Sequence, residues 1–555
     1  MTAHLPGSAE PWYGPAVPTR ETCVLKYVLE ARAAQSPDRV YVEFENGTRW
    51  TYLDAWRLAQ ASAGSLSALG LVRGDVLFVW LPNGPEFFRI WLGANVLGVI
   101  VAAPNTAYRG GVLRHLYGLA DAKMAVVQDR LLEHLQMVDL ANTRQIVVVG
   151  DFPSVSPLSV DLLRWDQMPS DSLTKEALEH VVEPWDTQFI IFTSGTTGPS
   201  KGVLVTYVQM FSTAMAHYDG HLGAEDRYLV NLPLFHISGL LPSYGAMLTG
   251  GSIAVVAQFK TDTFWDVVRR HGITGCTLVG AAASFLENQP IRSDDAEHPL
   301  RWISMFPLVS DPPVFARRFG VSITTAYGMS ELSIPIMSPP NPARPDSCGQ
   351  LRPGYEARVV DDFDRMVPDG EPGELILRAD CPWAITPGYW RDPVATAEAW
   401  RNGWFHTGDM FRRNAAGDYF FIDRKKDAIR RRGENISSYE VELEIRAHPD
   451  VSEAAVIAVP SPQGEDEVMA VVVRTPGATF SAESLLEFLR PRMARFMLPS
   501  HIRFVKELIK TPTFRVQKHI LRAEGITADT WSRVSEAGPG AGTKVAQREP
   551  RTCGR

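Results

Sequence analysis

The sequence predicts an α/β protein that contains a β-rich lobe and a smaller α+β domain near its C-terminus. In the first part of the chain, helical patterns alternate with short apolar strands, as in WTYLDAWRLAQASAGSLSALG followed by DVLFVWLPN. Strands that alternate with helices favour parallel sheets. Around residues 354–378 the pattern changes to YEARVVDD and ELILRAD joined by VPDGEPG, which predicts antiparallel strands. Beyond residue 427, YEVELEIRAHPDVSEAAVIAVP and VMAVVVRT predict a compact domain of about a hundred residues.

These changes of pattern divide the chain into five parts. We expect a loose N-terminal arm at 1–21, a large N-terminal domain at 22–423, a charged linker at 424–427, a C-terminal domain at 428–532 and a disordered tail at 533–555. The tail has almost no apolar content, which is typical of disorder. The length of 555 residues is too great for one ordinary hydrophobic core, so more than one domain is expected.

Composition excludes several classes of protein. The net charge is −8, so no basic excess indicates nucleic-acid binding, and no nucleic-acid partner is expected. The five cysteines follow no CxxC or other metal spacing and are predicted to be reduced thiols of a cytoplasmic protein. We expect no signal peptide and no membrane partner. The longest apolar run, IWLGANVLGVIVAA at residues 90–103, is predicted to be a buried helix that leads into a strand.

The strongest functional signal is the segment FIIFTSGTTGPSKG, in which a buried apolar strand leads directly into hydroxyl residues and glycines. Glycines allow backbone N–H groups to approach phosphate oxygens, hydroxyls donate further hydrogen bonds, and a lysine adds a mobile positive charge. A flexible surface loop is the alternative interpretation. The pattern differs from the GxxxxGK[ST] loop, because no Ser or Thr follows the lysine. The predicted phosphate-binding residues are Thr193, Ser194, Gly195, Thr196, Thr197, Gly198 and Lys201.

TSGTTGPSKGV resembles the signature loop of the ANL superfamily, which includes acyl-CoA synthetases, peptide-synthetase adenylation domains and luciferases. The resemblance extends over residues 22–522, with further motifs in the family's order. The chain resembles AMP-forming acyl-CoA synthetases, and its ending TPTFRVQKHILR is similar to that of the crotonobetaine/carnitine-CoA ligase-like group. The resemblance implies two α/β subdomains plus the β-rich lobe, together forming an adenylation domain at 22–423. It also implies a hinge at 424–427 and a small, mobile C-terminal domain.

A second motif, TTAYGMSE, carries residue types suited to a nucleotide and its metal. A tyrosine offers a face for a nucleobase and a glutamate is an oxygen ligand for Mg²⁺, although a core tyrosine and a solvated glutamate would explain the octapeptide equally well. The resemblance implies that Tyr327 packs by the adenine and that Thr325, Gly328 and Ser330 line the nucleotide site. It assigns the metal to Glu331.

Further motifs extend the predicted site. The resemblance assigns Asp409, in WFHTGD, to the ribose hydroxyls and Arg424, in FFIDRKKD, to the ribose and phosphate. Lys426 falls at the family's hinge, and the loop GENISSYE at residues 433–440 is implied to enter the active site for the second half-reaction, although it could also be an ordinary turn before a helix. His236, in PLFHISG, is implied to border the acyl and acceptor pocket, although a lone histidine is more often structural.

The chain departs from the family near its C-terminus. Where the family has TGK and uses its lysine during adenylation, this chain has Phe514 and Arg515 in place of the glycine and lysine. An arginine keeps the charge but is a larger, planar group. The favoured explanation is that Arg515 acts as the catalytic cation. The alternatives are that Lys518 reaches into the active site instead, or that adenylation depends on other cations or proceeds differently.

A second departure lies in SMFPLVS, where the family often has a glycine-rich GGAPL-like stretch. That segment is implied to border the acid pocket and the nucleotide. The larger side chains of Met305, Phe306 and Leu308 are therefore expected to reshape the pocket.

Together these features predict an enzyme that activates a small organic acid as its acyl-adenylate, with ATP and Mg²⁺, and releases pyrophosphate. Lys201, Glu331, Arg515 and His236 are the predicted catalytic residues. Coenzyme A is the expected acceptor because no carrier domain is fused to the chain; a free-standing carrier protein is the alternative. A monomer or homodimer is expected. The rival enzyme hypothesis, in secondary metabolism, is an ATP-dependent diazotase that activates nitrite for attack by an aromatic amine. The rival non-enzyme hypothesis is a nucleotide-binding regulatory protein.

Overall fold

The structure is a computed structural model. It describes residues 15–533 except 141, 155, 157, 169–179, 194–199, 425–428, 432–433, 437, 461–465, 494, 496 and 511–515. The described α-helices are α1 (Arg20–Cys23), α2 (Leu25–Gln35), α3 (Tyr52–Ala68), α4 (Pro85–Leu97), α5 (Gly110–Ala120), α6 (Tyr207–Tyr218), α7 (Ile237–Thr249), α8 (Phe264–His271), α9 (Gly280–Glu287), α10 (Pro312–Phe319), α11 (Pro393–Ala399), α12 (Ser438–Arg446), α13 (Ala482–Leu489) and α14 (Lys518–Glu524). Short 3₁₀ helices span Asp129–Met137, Trp165–Gln167 and Arg401–Gly403.

The strands fall into two runs along the chain. The first run is β1 (Val40–Phe44), β2 (Arg49–Thr51), β3 (Val76–Trp80), β4 (Ile100–Ala103), β5 (Met124–Gln128), β6 (Gln145–Val149), β7 (Asp161–Arg164), β8 (Thr187–Thr193), β9 (Lys201–Thr206), β10 (Arg227–Val230), β11 (Ser252–Val255), β12 (Gly275–Val279), β13 (Trp302–Phe306) and β14 (Ser322–Thr324). The second run is β15 (Ala326–Met329), β16 (Ser333–Met337), β17 (Gly349–Leu351), β18 (Tyr355–Val360), β19 (Gly373–Ala379), β20 (Phe405–Arg413), β21 (Asp418–Arg424), β22 (Ile429–Arg431), β23 (Glu434–Ile436), β24 (Val451–Pro460), β25 (Asp466–Arg474), β26 (His501–Val505) and β27 (Trp531–Ser532).

The chain divides into two compact units. The first comprises Met1–Ala428 and Ile509–Gln517, and the second comprises Ile429–Leu508 and Lys518–Arg555. The predicted hinge at 424–427 falls almost entirely outside the described residues, as do most of the N-terminal arm and the predicted tail. Those three assignments remain predictions. The α/β class and the division into a large and a small unit are confirmed.

Two seven-stranded sheets of the first unit have parallel cores. One has the order β14-β13-β12-β10-β11-β1-β2 and the other the order β7-β6-β5-β3-β4-β8-β9, with antiparallel pairing only at β1–β2 and β8–β9 among the described strands. Strands such as β3 (VLFVW) and β4 (IVAA) are buried along their whole length, as expected for strands covered on both faces by helices. The predicted parallel α/β subdomains are therefore present. The apolar run at 90–103 becomes the end of α4 and then β4, as predicted.

A third seven-stranded sheet of the first unit is antiparallel throughout. Its order is β15-β16-β17-β21-β20-β19-β18, and the predicted hairpin at 354–378 forms β18 and β19. Strands β20 and β21 pair so that Asp409 lies opposite Arg424. The predicted β-rich lobe is this sheet, and it brings two of the predicted nucleotide-binding positions into register.

Helices α6 and α7 approach each other closely at a glycine. A Cβ atom at Gly245 would lie 2.2 Å from the ring of Tyr218, far inside van der Waals contact. At the start of α7, a Cβ atom at Gly239 would lie 2.1 Å from the carbonyl oxygen of Pro233. Both positions therefore require glycine, and the spacing of the two helices depends on it.

A buried carboxylate joins β1 to its surroundings. Glu43 is only 5% exposed and accepts hydrogen bonds from Arg49, Arg227 and His271 at 3.0 to 3.2 Å. Burial alone would raise the pKa of Glu43, but the hydrogen bonds from Arg49 and His271 and the charge of Arg227 hold that pKa below its usual value. The ion pairs are therefore formed at neutral pH.

We expect Glu43→Gln to lower the free energy of unfolding by about 1–3 kcal/mol, because the partly buried Arg227 and the buried His271 lose their charged acceptor. Since the folded-state pKa of Glu43 is depressed, its contribution is complete above the unfolded-state pKa of about 4.3 and is lost as pH falls through the folded value. Thermal melts between neutral and acidic pH should show a smaller acid-induced decrease in Tm for the variant than for the wild type. The control is Glu225→Gln, because Glu225 is 91% exposed and pairs only at the surface with Arg39. If the Tm of wild type and of Glu43→Gln fell by the same amount with decreasing pH, the stabilising role of the Glu43 carboxylate would be contradicted.

The second unit contains the sheet β24-β25-β26-β27 and the two-stranded ribbon β22-β23. Within this unit Lys518, at the start of α14, lies 2.8 Å from the carboxylate of Glu442 and also donates to the hydroxyl of Ser438. Glu442 accepts a further hydrogen bond from the Val456 N–H at 2.7 Å. Lys518 is thus engaged inside the second unit. Among the residues that the structure describes, no helix has the length and apolar character needed to cross a membrane.

Candidate active site

A cavity of about 1150 Å³ lies in the first unit at the carboxyl ends of strands from both parallel sheets. Thr193 ends β8, Val279 ends β12 and Phe306 ends β13, and all three line the cavity. Open α/β sheets bind ligands at this edge. The volume exceeds the range of about 300–1000 Å³ for single small-molecule sites, so the cavity has room for more than one ligand.

The predicted phosphate loop begins and ends at this cavity. Thr193 and Lys201 are paired directly across β8 and β9, and both line the cavity. The intervening residues of the prediction lie outside the described part of the chain; these are Ser194, Gly195, Thr196, Thr197 and Gly198. Gly202 follows Lys201 in β9 and packs closely against β8. A Cβ atom at Gly202 would lie 2.8 Å from the side chain of Ile190.

Lys201 and Glu331 are linked by a tyrosine. The Lys201 ammonium lies 4.7 Å from the centre of the Tyr389 ring, and the Tyr389 hydroxyl donates to Glu331 Oε1 at 3.1 Å. Burial, followed by the charge of Glu331, raises the pKa of Tyr389, so the hydroxyl stays protonated and remains a donor. Tyr389 therefore contacts both a cation and a carboxylate at the cavity.

The carboxylate of Glu331 fits a magnesium ligand. It is 5% exposed, lines the cavity and accepts a hydrogen bond from the Tyr389 hydroxyl, and carboxylate oxygens are the ligands that Mg²⁺ prefers. Mg²⁺ is usually held by one or two carboxylates together with substrate phosphates and waters. In the described residues no group of three or more His, Cys, Asp or Glu side chains could hold an ion by itself.

Tyr327 and Asp409 meet at the other predicted nucleotide contact. The Tyr327 hydroxyl donates to Asp409 Oδ2 at 2.8 Å, and the ring packs edge-on against Phe411 at 4.7 Å. The Asp409 N–H donates to Thr407 Oγ1 at 3.0 Å. The buried Glu374 accepts from the Gly408 N–H at 3.1 Å, which fixes the turn before Asp409. Tyr327 and Asp409 both line the cavity, so the structure brings these two predicted nucleotide-binding residues together.

The remaining predicted nucleotide residues divide into three cases. Gly328 and Ser330 line the cavity, and a Cβ atom at Gly328 would lie 2.5 Å from the carbonyl oxygen of Ser333. Thr325 is buried beside the cavity-lining strand, but its hydroxyl donates to the Met305 carbonyl at 2.7 Å and it is not among the lining residues. The Arg424 side chain lies outside the described part of the chain.

His236, which was expected at the acyl and acceptor pocket, lines the cavity. It is the N-cap residue of α7, and its ring packs against Phe235 at 4.7 Å between ring centres. Burial lowers the pKa of His236 to about 4, so the imidazole is neutral at neutral pH. A neutral imidazole offers one donor and one acceptor but no charge.

The cavity continues to a wall of aromatic and neutral polar side chains, which we name the inner wall. It consists of side chains from α6, α7, β12 and β13, namely Thr213, His217, Tyr218, Leu241, Thr277 and Phe306. In the SMFPLVS segment, Phe306 reaches the cavity whereas Met305 is fully buried in the core below the sheet. Only one of the three large side chains of that segment therefore shapes the cavity directly, since Leu308 packs against the same core.

Sequence reasoning missed three residues of this site. Tyr389 was not among the predicted site residues, and the hydrogen bond that places it at the site joins positions 58 residues apart. Glu374 was interpreted only as part of a strand. His217 is a lone histidine within a helix, and nothing in its sequence context indicates that it lines a cavity.

The two candidate cations near the C-terminus have different outcomes. Arg515 lies outside the described residues, so its predicted role remains a prediction. Lys518 is held by Glu442 and Ser438 within the second unit. That engagement favours Arg515 over Lys518.

Comparison with known proteins identifies the family. The family model described as AMP-binding enzyme matches residues 29–390, and the model described as AMP-binding enzyme C-terminal domain matches residues 440–515. The sulfoacetate–CoA ligase of Cupriavidus necator is 30% identical over 507 residues, which cover 89% of this chain and 96% of that protein. The crotonobetaine/carnitine–CoA ligase of Escherichia coli is 28% identical over 467 residues, which cover 83% of this chain and 90% of that protein.

A solved structure agrees with this grouping. ATP-bound MatB from Rhodopseudomonas palustris superposes with a TM-score of 0.75 at 25% identity, covering 90% of this chain and 98% of MatB. The two curated relatives named above are acid–CoA ligases, so they give the diazotase alternative no support. The chain therefore belongs to the AMP-binding enzyme family of the ANL superfamily, and it is an AMP-forming acid–thiol ligase that uses ATP and Mg²⁺ to activate an acid as its adenylate before transfer to a thiol.

Proposed function

We propose that the acid activated by this enzyme is an aromatic monocarboxylate. The observation that carries the proposal is the inner wall, which presents the rings of Tyr218 and Phe306 beside Leu241 and two threonines. None of the described inner-wall residues carries a formal charge at neutral pH. A flat apolar ring buries well against such a wall, because aromatic side chains favour offset or edge-on packing with other rings.

The acids named for the two relatives differ from this expectation in charge. Sulfoacetate carries a second anionic group, and crotonobetaine carries a quaternary ammonium group. Burying either charge costs free energy unless an opposite charge lies nearby. The described inner wall offers neither a lysine or arginine for the sulfonate nor a carboxylate for the ammonium group. A neutral ring is therefore the better match.

We assign the nucleotide to the rest of the cavity. Tyr327 would contact the adenine, and Asp409 would accept hydrogen bonds from the two ribose hydroxyls in place of the Tyr327 hydroxyl. Lys201 would hold the phosphates that leave as pyrophosphate, while Glu331 would bind Mg²⁺. When bound, Mg²⁺ supplies positive charge that offsets the charge developing on the phosphates.

The first half-reaction follows from this placement. A carboxylate oxygen of the acid forms a bond to the α-phosphorus of ATP, and the bond from that phosphorus to the bridging oxygen breaks, which releases pyrophosphate. The protein contributes positioning and charge neutralisation rather than a covalent intermediate. Lys201 lies against the ring of Tyr389, whose hydroxyl donates to Glu331, so the cation is already oriented before the phosphates arrive.

In the second half-reaction a thiol sulfur attacks the acyl carbon and AMP leaves. We favour free coenzyme A over a carrier protein as the source of that thiol, in line with the CoA ligases among the relatives. Rotation about Lys426 would exchange the residues that face the cavity between the two steps. His236, neutral and at the N-terminus of α7, is assigned to the acceptor side. A cytoplasmic location agrees with the free thiols of Cys23 and Cys276.

Pyrophosphate release with MgATP across a panel of acids tests the substrate class. The panel contains benzoate and substituted benzoates, short aliphatic acids, sulfoacetate, and nitrite with an aromatic amine, each with and without coenzyme A. We expect release with aromatic monocarboxylates and an increase when coenzyme A is added. Release with aliphatic acids alone, or with nitrite and amine alone, would overturn the aromatic assignment.

Tyr389→Phe tests the link between Lys201 and Glu331. The variant keeps the ring below Lys201 but removes the hydrogen bond to Glu331, worth about 0.5–1.5 kcal/mol. We expect kcat/KM to fall by up to about tenfold and the Mg²⁺ concentration for half-maximal rate to rise, because the Glu331 carboxylate loses the hydrogen bond from Tyr389 that helps to orient it towards the ion. A matched control is Tyr419→Phe, because Tyr419 lies in the antiparallel sheet and does not line the cavity. An unchanged Mg²⁺ requirement in Tyr389→Phe would contradict the assignment.

A further inference from the structure

One polar side chain of the inner wall, that of His217, has a buried nitrogen atom without a hydrogen-bond partner among the described residues. His217, near the end of α6, is 2% exposed and lines the cavity. Its Nδ1 atom is buried and has no hydrogen-bond partner among the described residues. A buried polar atom without a partner costs about 1–3 kcal/mol, and in a binding site a ligand can remove that cost.

The other polar side chains of the inner wall already have partners. Thr213 donates to the Gln209 carbonyl at 2.7 Å, and Thr277 is bonded to the Tyr228 hydroxyl at 2.8 Å. Both hydroxyls are thus used within the protein. His217 is therefore the inner-wall residue best placed to recognise a polar group on a ligand.

Rings surround His217 on several sides. Its ring centre lies 4.8 Å from that of Tyr218, 5.2 Å from that of Trp302 and 6.1 Å from that of Phe306. These rings form an apolar setting in which a hydrogen bond is stronger than in water. A ligand group that reaches His217 must therefore be carried on a mostly apolar framework.

The imidazole is neutral in this setting. Burial, with a smaller contribution from His221, lowers the pKa of His217 to about 3. A neutral imidazole has one donor and one acceptor nitrogen, so it pairs with a hydroxyl or an amino group. It does not attract an anion as an imidazolium would.

We propose that His217 determines specificity by hydrogen-bonding a hydroxyl or amino substituent on the ring of the aromatic acid. This inference rests on the proposed aromatic substrate and narrows it to acids with a neutral hydrogen-bonding substituent. The carboxylate of the acid points towards the nucleotide end of the cavity, and the ring substituent points towards His217. An acid that lacks the substituent leaves Nδ1 unpaired.

The test compares substituted with unsubstituted benzoates in wild-type enzyme and in His217→Phe. Pyrophosphate release gives kcat/KM for benzoate and for each hydroxybenzoate and aminobenzoate. We expect the wild type to favour at least one substituted acid over benzoate by about ten- to a hundredfold, the equivalent of one lost buried hydrogen bond. In His217→Phe that ratio should approach one, and in His217→Asn part of it should return.

The control is His221→Phe, which removes an imidazole four residues further along the chain, beyond the end of α6. His221 stacks on Trp302 at 4.5 Å and is not among the cavity-lining residues, so this variant should keep the wild-type ratio. An equal ratio in wild type and His217→Phe, with aromatic acids still activated, would overturn the role of His217 alone. Activation of aliphatic acids with none of the aromatic ones would instead overturn the proposed substrate class. Thermal melts of each variant separate either result from loss of folding.

Discussion

Replacing Lys201 by methionine is expected to lower kcat/KM for pyrophosphate release by about a hundred- to a thousandfold, the usual loss when one group that stabilises developing charge is removed. Lys201 begins β9 at the cavity and lies 4.7 Å from the centre of the Tyr389 ring. Methionine keeps most of the side-chain length and the contact with that ring but removes the charge. The effect should appear in the adenylation step, measured as pyrophosphate released in a single turnover.

Two further variants make the Lys201 result specific. Lys201→Arg keeps a positive charge and should retain more activity than Lys201→Met. Lys260→Met changes an exposed lysine that does not line the large cavity, so it should leave the rate unchanged. Equal rates for Lys201→Met and wild type would show that the leaving phosphates are held elsewhere.

Arg515→Ala is expected to slow acyl-adenylate formation by well over tenfold. Removing a cation that contacts a phosphate in a site with little water typically lowers the rate by 10²–10³, equivalent to ~3–4 kcal/mol. The reason is the substitution of arginine at the position where the family's lysine contacts carboxylate and phosphate. Single-turnover formation of the adenylate, followed with coenzyme A absent, isolates this step. The thermal stability of the variant should match that of the wild type.

Lys518→Met provides the contrasting variant. Lys518 forms an ion pair with Glu442 in the second unit, and the two side chains are 16% and 12% exposed. Its removal leaves the carboxylate without its cation, so we expect a loss of about 1–3 kcal/mol in the stability of that unit with little change in adenylation. If Arg515→Ala kept full adenylation activity and a stably folded Lys518→Met lost it, Lys518 would replace Arg515 as the catalytic cation.

The sequence predicted the fold well because the signals for it are local. Alternating strands and helices predicted the parallel sheets, and the turn VPDGEPG predicted the hairpin of β18 and β19. The ends of the phosphate loop were also predictable, because a buried strand, the loop residues and Lys201 are consecutive in the chain. Neighbours in sequence determine each of these features.

The missed parts of the site depend on contacts between distant segments. The histidine of α6 acquires its aromatic surroundings only when Trp302 of β13 packs against it. Tyr389 becomes a link between Lys201 and Glu331 only after the antiparallel sheet has formed beside β9. Thr325 was expected at the nucleotide, but its hydroxyl is used by the Met305 carbonyl, a backbone group that no motif reveals. Such partners are set by topology and not by residue type.

The glycine between α6 and α7 has a consequence for how this enzyme can acquire new substrates. Any side chain at Gly245 would collide with Tyr218, so a substitution there would disrupt the close packing of the two helices. Enlarging or reshaping the acid site must therefore come from exchanges of side chains that project into it, such as Thr213, Thr277 and Phe306. Libraries for altered substrate range are best confined to those positions, with Gly245 held fixed.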